Sequence, residues 1–137
     1  MNHLNEKRAH IVAVSIVEVH QAVVTNFIAT DFIQVNASWT KLDMTDISFE
    51  EDSVENGKPV SQVFSGKITT FTQTMEKELK NACSKHLLFK LDYSNGISKI
   101  VGTDQYPVVS TLKAGGDYHS YILSFKRNSP QSSKFLK

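Results

Sequence analysis

Ile47–Gln73, ISFEEDSVENGKPVSQVFSGKITTFTQ, decides how this chain folds. Two extended runs flank the polar stretch EEDSVENGKP, and Asn56-Gly57 within it supplies the positive backbone dihedrals that a tight hairpin turn needs. The reading is a long β-hairpin near residues 47–73. Strict alternation along its second arm, VSQVFSGKITTFTQ, puts Phe64, Gly66 and Ile68 on one face and Val63 and Phe71 on the other. A glycine inside a strand, here Gly66, signals a bulge or a close approach by another backbone.

Beyond the hairpin, Thr74 is placed to cap a helix near residues 74–85. Glu76 sits in its first turn, at the positive end of the helix dipole, and Met75, Leu79 and Cys83 recur along one side at four-residue spacing. Glu76 and Lys80 can pair on the opposite, exposed side. LLFKLDYSNGISKIVG, residues 87–102, then reads as a second hairpin: Leu87, Phe89, Leu91 and Tyr93 alternate inward before a turn at Asn95-Gly96. A last pair of strands, Pro107–Lys113 and Asp117–Arg127, joins near Gly115-Gly116, with Tyr121, Leu123 and Phe125 on one face.

Upstream, IVAVSIVEV (11–19) reads as a strand buried on much of both faces and 31–36 as another, with Trp39 anchoring the core edge and 40–46 as a connection. No repeat, low-complexity tract or Gly/Ser linker divides the chain, so residues 1–137 form a single domain, with flexible ends expected at 1–9 and 128–137. The fold class is mainly β, sandwich or barrel-like, with one helix.

Length and composition agree with one core: 137 residues, 40% hydrophobic and 21% charged, are ordinary for a folded domain. Fifteen basic residues against fourteen acidic ones leave a net charge of +1, too balanced to draw nucleic acid by charge. The single cysteine excludes an intrachain disulfide and a cysteine-rich zinc site. The polar start MNHLNEKRAH and the interruptions at Ser15, Glu18 and His20 are unlike a signal peptide or a membrane span, so a soluble protein is expected.

Candidate chemistry is sparse. His3, His10, His20, His86 and His119 show no paired-ligand spacing, which favours ordinary surface histidines over a metal site. Cys83 with His86 three residues on is the one thiol–imidazole arrangement, but the Met75–Leu79–Cys83 stripe favours a small buried core residue. Glu50, Glu51, Asp52 and Glu55 lack a calcium-loop pattern and read as solvated charge, whose functional version is a lining that repels DNA or meets a neighbour's basic groups. Gly115-Gly116 precedes a strand rather than a helix and offers no phosphate cradle. Trp39, Tyr118 and Tyr121, the tyrosines near Lys113, carry the alternative of a monomeric carbohydrate-binding β-sandwich. The expectation is no enzyme, no catalytic, cofactor or metal site, and no cofactor.

FSGKITTF before the helix, the single helix, the LLFKLDYSNGISKIVGT hairpin and the closing GGDYHSYILSFKRNSP give residues 60–136 a resemblance to a known family. They resemble the tail-tube fold of tailed-bacteriophage structural proteins, of distal-tail, tube and neck type, including small proteins of Bacteroidetes phages and prophages. Phe125 followed by Ser129-Pro130 is similar to the way the family's last strand ends. The resemblance covers a little over half the chain and rests on pattern, without an invariant signature. It implies a β-sandwich flanked by one helix, self-associated into a ring, often a hexamer, that contacts other tail or neck proteins. The ring would sit in the virion after assembly in the host cytoplasm, with DNA passing non-specifically through a lumen and no membrane partner. The 47–73 hairpin and both termini are the expected arms between subunits.

Overall fold

The computed structural model describes residues 10–27, 30, 32–52, 59–69, 73–114, 120–130 and 133–136. Alternation along Val60–Thr69 (β6) does what the sequence demands: Val60, Gln62, Phe64, Gly66 and Ile68 are buried, the residues between them only partly so. Ser120–Ser129 (β11) runs antiparallel to it along its whole length, from Ser120 opposite Thr69 to Ser129 opposite Val60. Met44–Glu51 (β5) and Thr111–Ala114 (β10) complete a four-stranded sheet in the order β10-β11-β6-β5.

The second sheet is larger. Ile11–Glu18 (β1) and His86–Tyr93 (β7) form its centre, and Ser98–Val101 (β8), Lys134–Leu136 (β12), Phe32–Asn36 (β3) and Val23–Asn26 (β2) extend it on one side. Thr40–Leu42 (β4) borders β1 on the other side, and Val108–Val109 (β9) pairs with the start of β7. One helix, Gln73–Cys83 (α1), carries the chain from β6 in the small sheet to β7 in the large one.

The large sheet serves two cores, as expected of strands that are apolar at consecutive positions. Val14 and Ile16 of β1 and Leu87, Phe89 and Leu91 of β7 face the small sheet, where they meet Phe64, Ile68, Leu123 and Phe125. Val17 and Leu88, pointing the opposite way, pack with Ile33, Val35 and Ile100 in a second cluster, so the β2–β3–β12 end curls over the outer face of β1–β7–β8. The mainly β, sandwich-like class and the single helix read from sequence hold.

Several boundaries move. The hairpin arms are Met44–Glu51 and Val60–Thr69, so of the expected connection 40–46 all but Asp43 is strand, Thr40–Leu42 in β4 and 44–46 in β5; Asn56-Gly57 and Phe71 lie outside the described residues. The helix ends at Cys83, where Ser84 and Lys85 close a turn through N–H bonds to the Asn81 and Ala82 carbonyls, and Thr74 lies within its first turn. At Asn95-Gly96 only Gly96 has positive φ, +85°, and its N–H donates to the Tyr93 carbonyl. The turn is therefore a type I turn closed by a left-handed glycine rather than a two-residue mirror-image turn. Pro107–Lys113 is not one strand: Val108–Val109 joins the large sheet and Thr111–Ala114 the small one, with Ser110 between them.

The C-terminal expectation is corrected. Asn128 and Ser129 end β11, and Lys134–Leu136 is a strand bonded on both sides, parallel to β3 and antiparallel to β8. Composition hides it because a polar run, NSPQSSK, precedes only two apolar residues. Residues 1–9 lie outside the described residues.

Candidate interaction surfaces

Among the described residues the chemistry-bearing side chains do not converge. Cys83 is buried in the first core, and desolvation pushes its thiol up to about 11, so at neutral pH it is a protonated core residue. His86 beside it in sequence is exposed. His10 and His20 are exposed as well, His10 donating its N–H to the Ser94 hydroxyl oxygen and accepting at its carbonyl from the Ser94 N–H, and His20 lying 3.6 Å from Glu18. His3 and His119 lie outside the described residues, and among the described residues no group of three His, Cys, Asp or Glu could hold a metal ion.

The aromatic residues weighed as a sugar platform separate in the same way. Trp39 packs against the second core with Lys90 Nζ 5.6 Å from its ring centre. Tyr121 packs against the first core beneath α1, where Glu76 pairs with Lys80 at 3.0 Å and Lys80 lies over the tyrosine ring. The Tyr121 hydroxyl is pushed above its ordinary range, first by its hydrogen bond to Glu76 and then by burial. Tyr118 and Gly115-Gly116 lie outside the described residues.

The sheet margins remain. The small sheet ends in β5 and β10, the large one in β2 and β4. β5 is blunted by a bulge: its register with β6 slips between Thr45 and Ser48, opposite Gly66, and Asp46 takes φ +53°. The structure thus answers the Gly66 expectation with a bulge on the partner strand, and the space above the glycine is filled by the Met44 side chain rather than by backbone. β2 carries Val23, 66% exposed, and Val109 of β9 and Ile122 of β11 are further exposed apolar side chains. A groove of about 180 Å³ opens between β4 and α1, floored by Leu42, Ile68 and Leu79 and rimmed by Lys41, Asp43 and Glu78.

No protein-family model, curated protein or solved structure matches this chain. Among the described residues no helix is long and apolar enough to cross a membrane.

One polar node was not visible in the sequence. Glu51, read as part of a solvated acidic tip, turns inward at the end of β5. One of its carboxylate oxygens accepts from the Gln62 amide at 2.7 Å and from the Ser133 N–H at 2.7 Å, and the other from the Ser133 hydroxyl at 3.0 Å. Its charge, after burial, also helps push the Tyr93 hydroxyl upward. Glu50 and Asp52, on either side of it, are exposed, and Glu55 lies outside the described residues. Lys134, the next residue after Ser133, is 7% exposed and donates from Nζ to Asn26 Oδ1 at 2.6 Å and to the Phe27 carbonyl at 3.2 Å. The only cue was alternation, which makes every second member of an acidic run on a strand face the core.

Proposed function

We propose that this chain is a structural subunit of a tailed-phage virion, of the tail or neck, and that it assembles into a ring through its sheet margins and arms. The observation that carries the reading is a two-sheet β-sandwich with a helix linking the sheets, in which both sheets end in edge strands and large apolar side chains stand exposed nearby. Such edges are an aggregation hazard in a solitary protein and useful where copies pair edge to edge. A head-to-tail contact of this kind closes into a ring when its rotation allows. The pattern resemblance of residues 60–136 to tail-tube-fold proteins supplies the phage setting. Placing the subunit in the virion, without enzymatic activity, agrees with a buried, protonated Cys83 and with the exposure of His10, His20 and His86. In a ring, the exposed Glu50 and Asp52 are suited to a DNA-repelling lumen or to a neighbour's lysines.

Native mass measurement and negative-stain imaging test this directly. Closed rings of uniform stoichiometry are expected, and antibodies to the chain should decorate particles. A protein that stays monomeric at high concentration and is absent from purified virions would overturn the reading.

A further inference from the structure

We propose that the C-terminal strand β12 is an exchangeable element, and that in the assembled protein the slot between β3 and β8 is filled by the tail of a neighbouring copy of this chain. The inference rests on the ring reading above and names the contact that would build the ring.

The first reason is position. β12 is the last described strand, yet it lies inside the large sheet: Phe135 and Leu136 pair with Phe32 and Ile33, while Lys134 and Phe135 pair with Ile100 and Lys99. No described strand follows it, so β12 can leave such a slot and another enter it without any of the strands that precede it being unthreaded. With β12 withdrawn, β3 and β8 would present two facing rows of unpaired backbone groups, a strong demand for a replacement strand.

The second reason is the origin of its anchors. Ser133 is held by Glu51, and Lys134 by Asn26 and Phe27; Phe135 lies 6.2 Å from the Phe32 ring, with Lys99 Nζ 5.1 Å from its own ring centre. None of these partners belongs to β11, the strand the tail departs from. An identical tail from another subunit would therefore make the same bonds, which is the condition for exchange between copies.

The third reason is what surrounds the slot. Phe32 is 48% exposed and Ile97 40%; two shallow clefts border Phe135, one reaching Ile97 and the other both Ile97 and Phe32. A neighbour whose tail enters here brings its body against this apolar rim, which a self-inserted tail leaves in water. Pro130 biases Ser129 toward an extended backbone, and five residue steps from Ser129 to Lys134 span at most about 17 Å. The receiving slot must lie within that reach. An isolated chain keeps its own tail, because a tethered segment has a high effective concentration; exchange is expected only where copies stand side by side.

Lys99 and Phe135 face each other across the β8–β12 pair, so the full chain carrying Lys99→Cys and Phe135→Cys can report whose tail is in the slot. Buried Cys83 stays out of the oxidation. The native mass is read first; the protein is then oxidised, denatured and run without reductant. Covalent species at multiples of the 15.4 kDa subunit are expected from an oligomer. An oligomer yielding only single-chain, internally bridged species would overturn the exchange while leaving the ring intact. A monomer yielding only internally bridged chains would overturn both. Should that pair fail to fold, Ile33→Cys with Leu136→Cys on the other flank of β12 keeps Phe135 in place and gives the same readout.

Discussion

The two cores of this molecule are built by different means. Between the sheets, strands of eight to ten residues bring Phe64, Phe89 and Phe125 into mutual contact, with ring centres 5.0–5.4 Å apart. Beyond the large sheet, Val17, Ile33, Val35, Leu88 and Ile100 pack without a buried aromatic residue, closed by strands of three to five residues and by the Glu51–Ser133 and Lys134–Asn26 bonds. The contrast teaches that long pleated strands hold themselves by apolar area, whereas short ones from distant parts of the chain need polar fasteners to fix their register.

The sharpest way to break this comparison is to cut into each core separately. Phe89→Ala removes the ring that touches both other phenylalanines and should cost about 3–5 kcal/mol, read as a lower urea midpoint with an unchanged slope. Ile100→Ala in the second core should cost less, about 2–3 kcal/mol, because short strands can settle onto the cavity. If Ile100→Ala proves the more damaging, the sandwich is not the dominant unit and the contrast fails.

A smaller effect should come from the fastener. Glu51→Ala takes the acceptor from the Ser133 N–H, the Ser133 hydroxyl and the buried Gln62 amide, a loss of about 1–3 kcal/mol. Its location matters more than its size. Amide exchange should accelerate at residues 134–136 and in β3 while β6 and β11 keep their protection. Uniform acceleration across both sheets would mean that the tail is part of the global folding unit instead of a local clasp.

The same contrast explains what could be read from the sequence. β6, β7 and β11 are long enough for alternation to show which face is buried, and Asn95-Gly96 marks a turn whatever lies around it. β12 defeats such reading: three residues carry no period, and its partners Phe32 and Lys99 lie far off in the chain. Ser133 and Lys134 look like a solvated tail because their burial depends on Glu51 and Asn26, which only the fold brings near. The candidate surfaces were legible only as a class. Which strands become margins depends on the order β2-β3-β12-β8-β7-β1-β4, which no local pattern contains. Splitting Pro107–Lys113 between the sheets was hidden for a like reason, since Val108 and Leu112 both look like members of one strand.

The smallest effect expected lies at the bulged margin of the sandwich. A Cβ at Gly66 would fall 2.2 Å from the Met44 methyl carbon, so Gly66→Ala forces that side chain aside. Methionine is the most adaptable apolar side chain, and Gly66 does not have positive φ, so the cost should stay near 1 kcal/mol. With Met44→Ala as background the clash disappears, and the same Gly66→Ala change should become neutral or stabilising, because alanine loses less backbone freedom than glycine on entering a strand. A double-mutant cycle reads this reversal of sign directly. If Gly66→Ala remained costly in both backgrounds, the glycine would be needed by the backbone of the bulge itself, and the long-strand core would depend on local geometry as much as the short-strand one does.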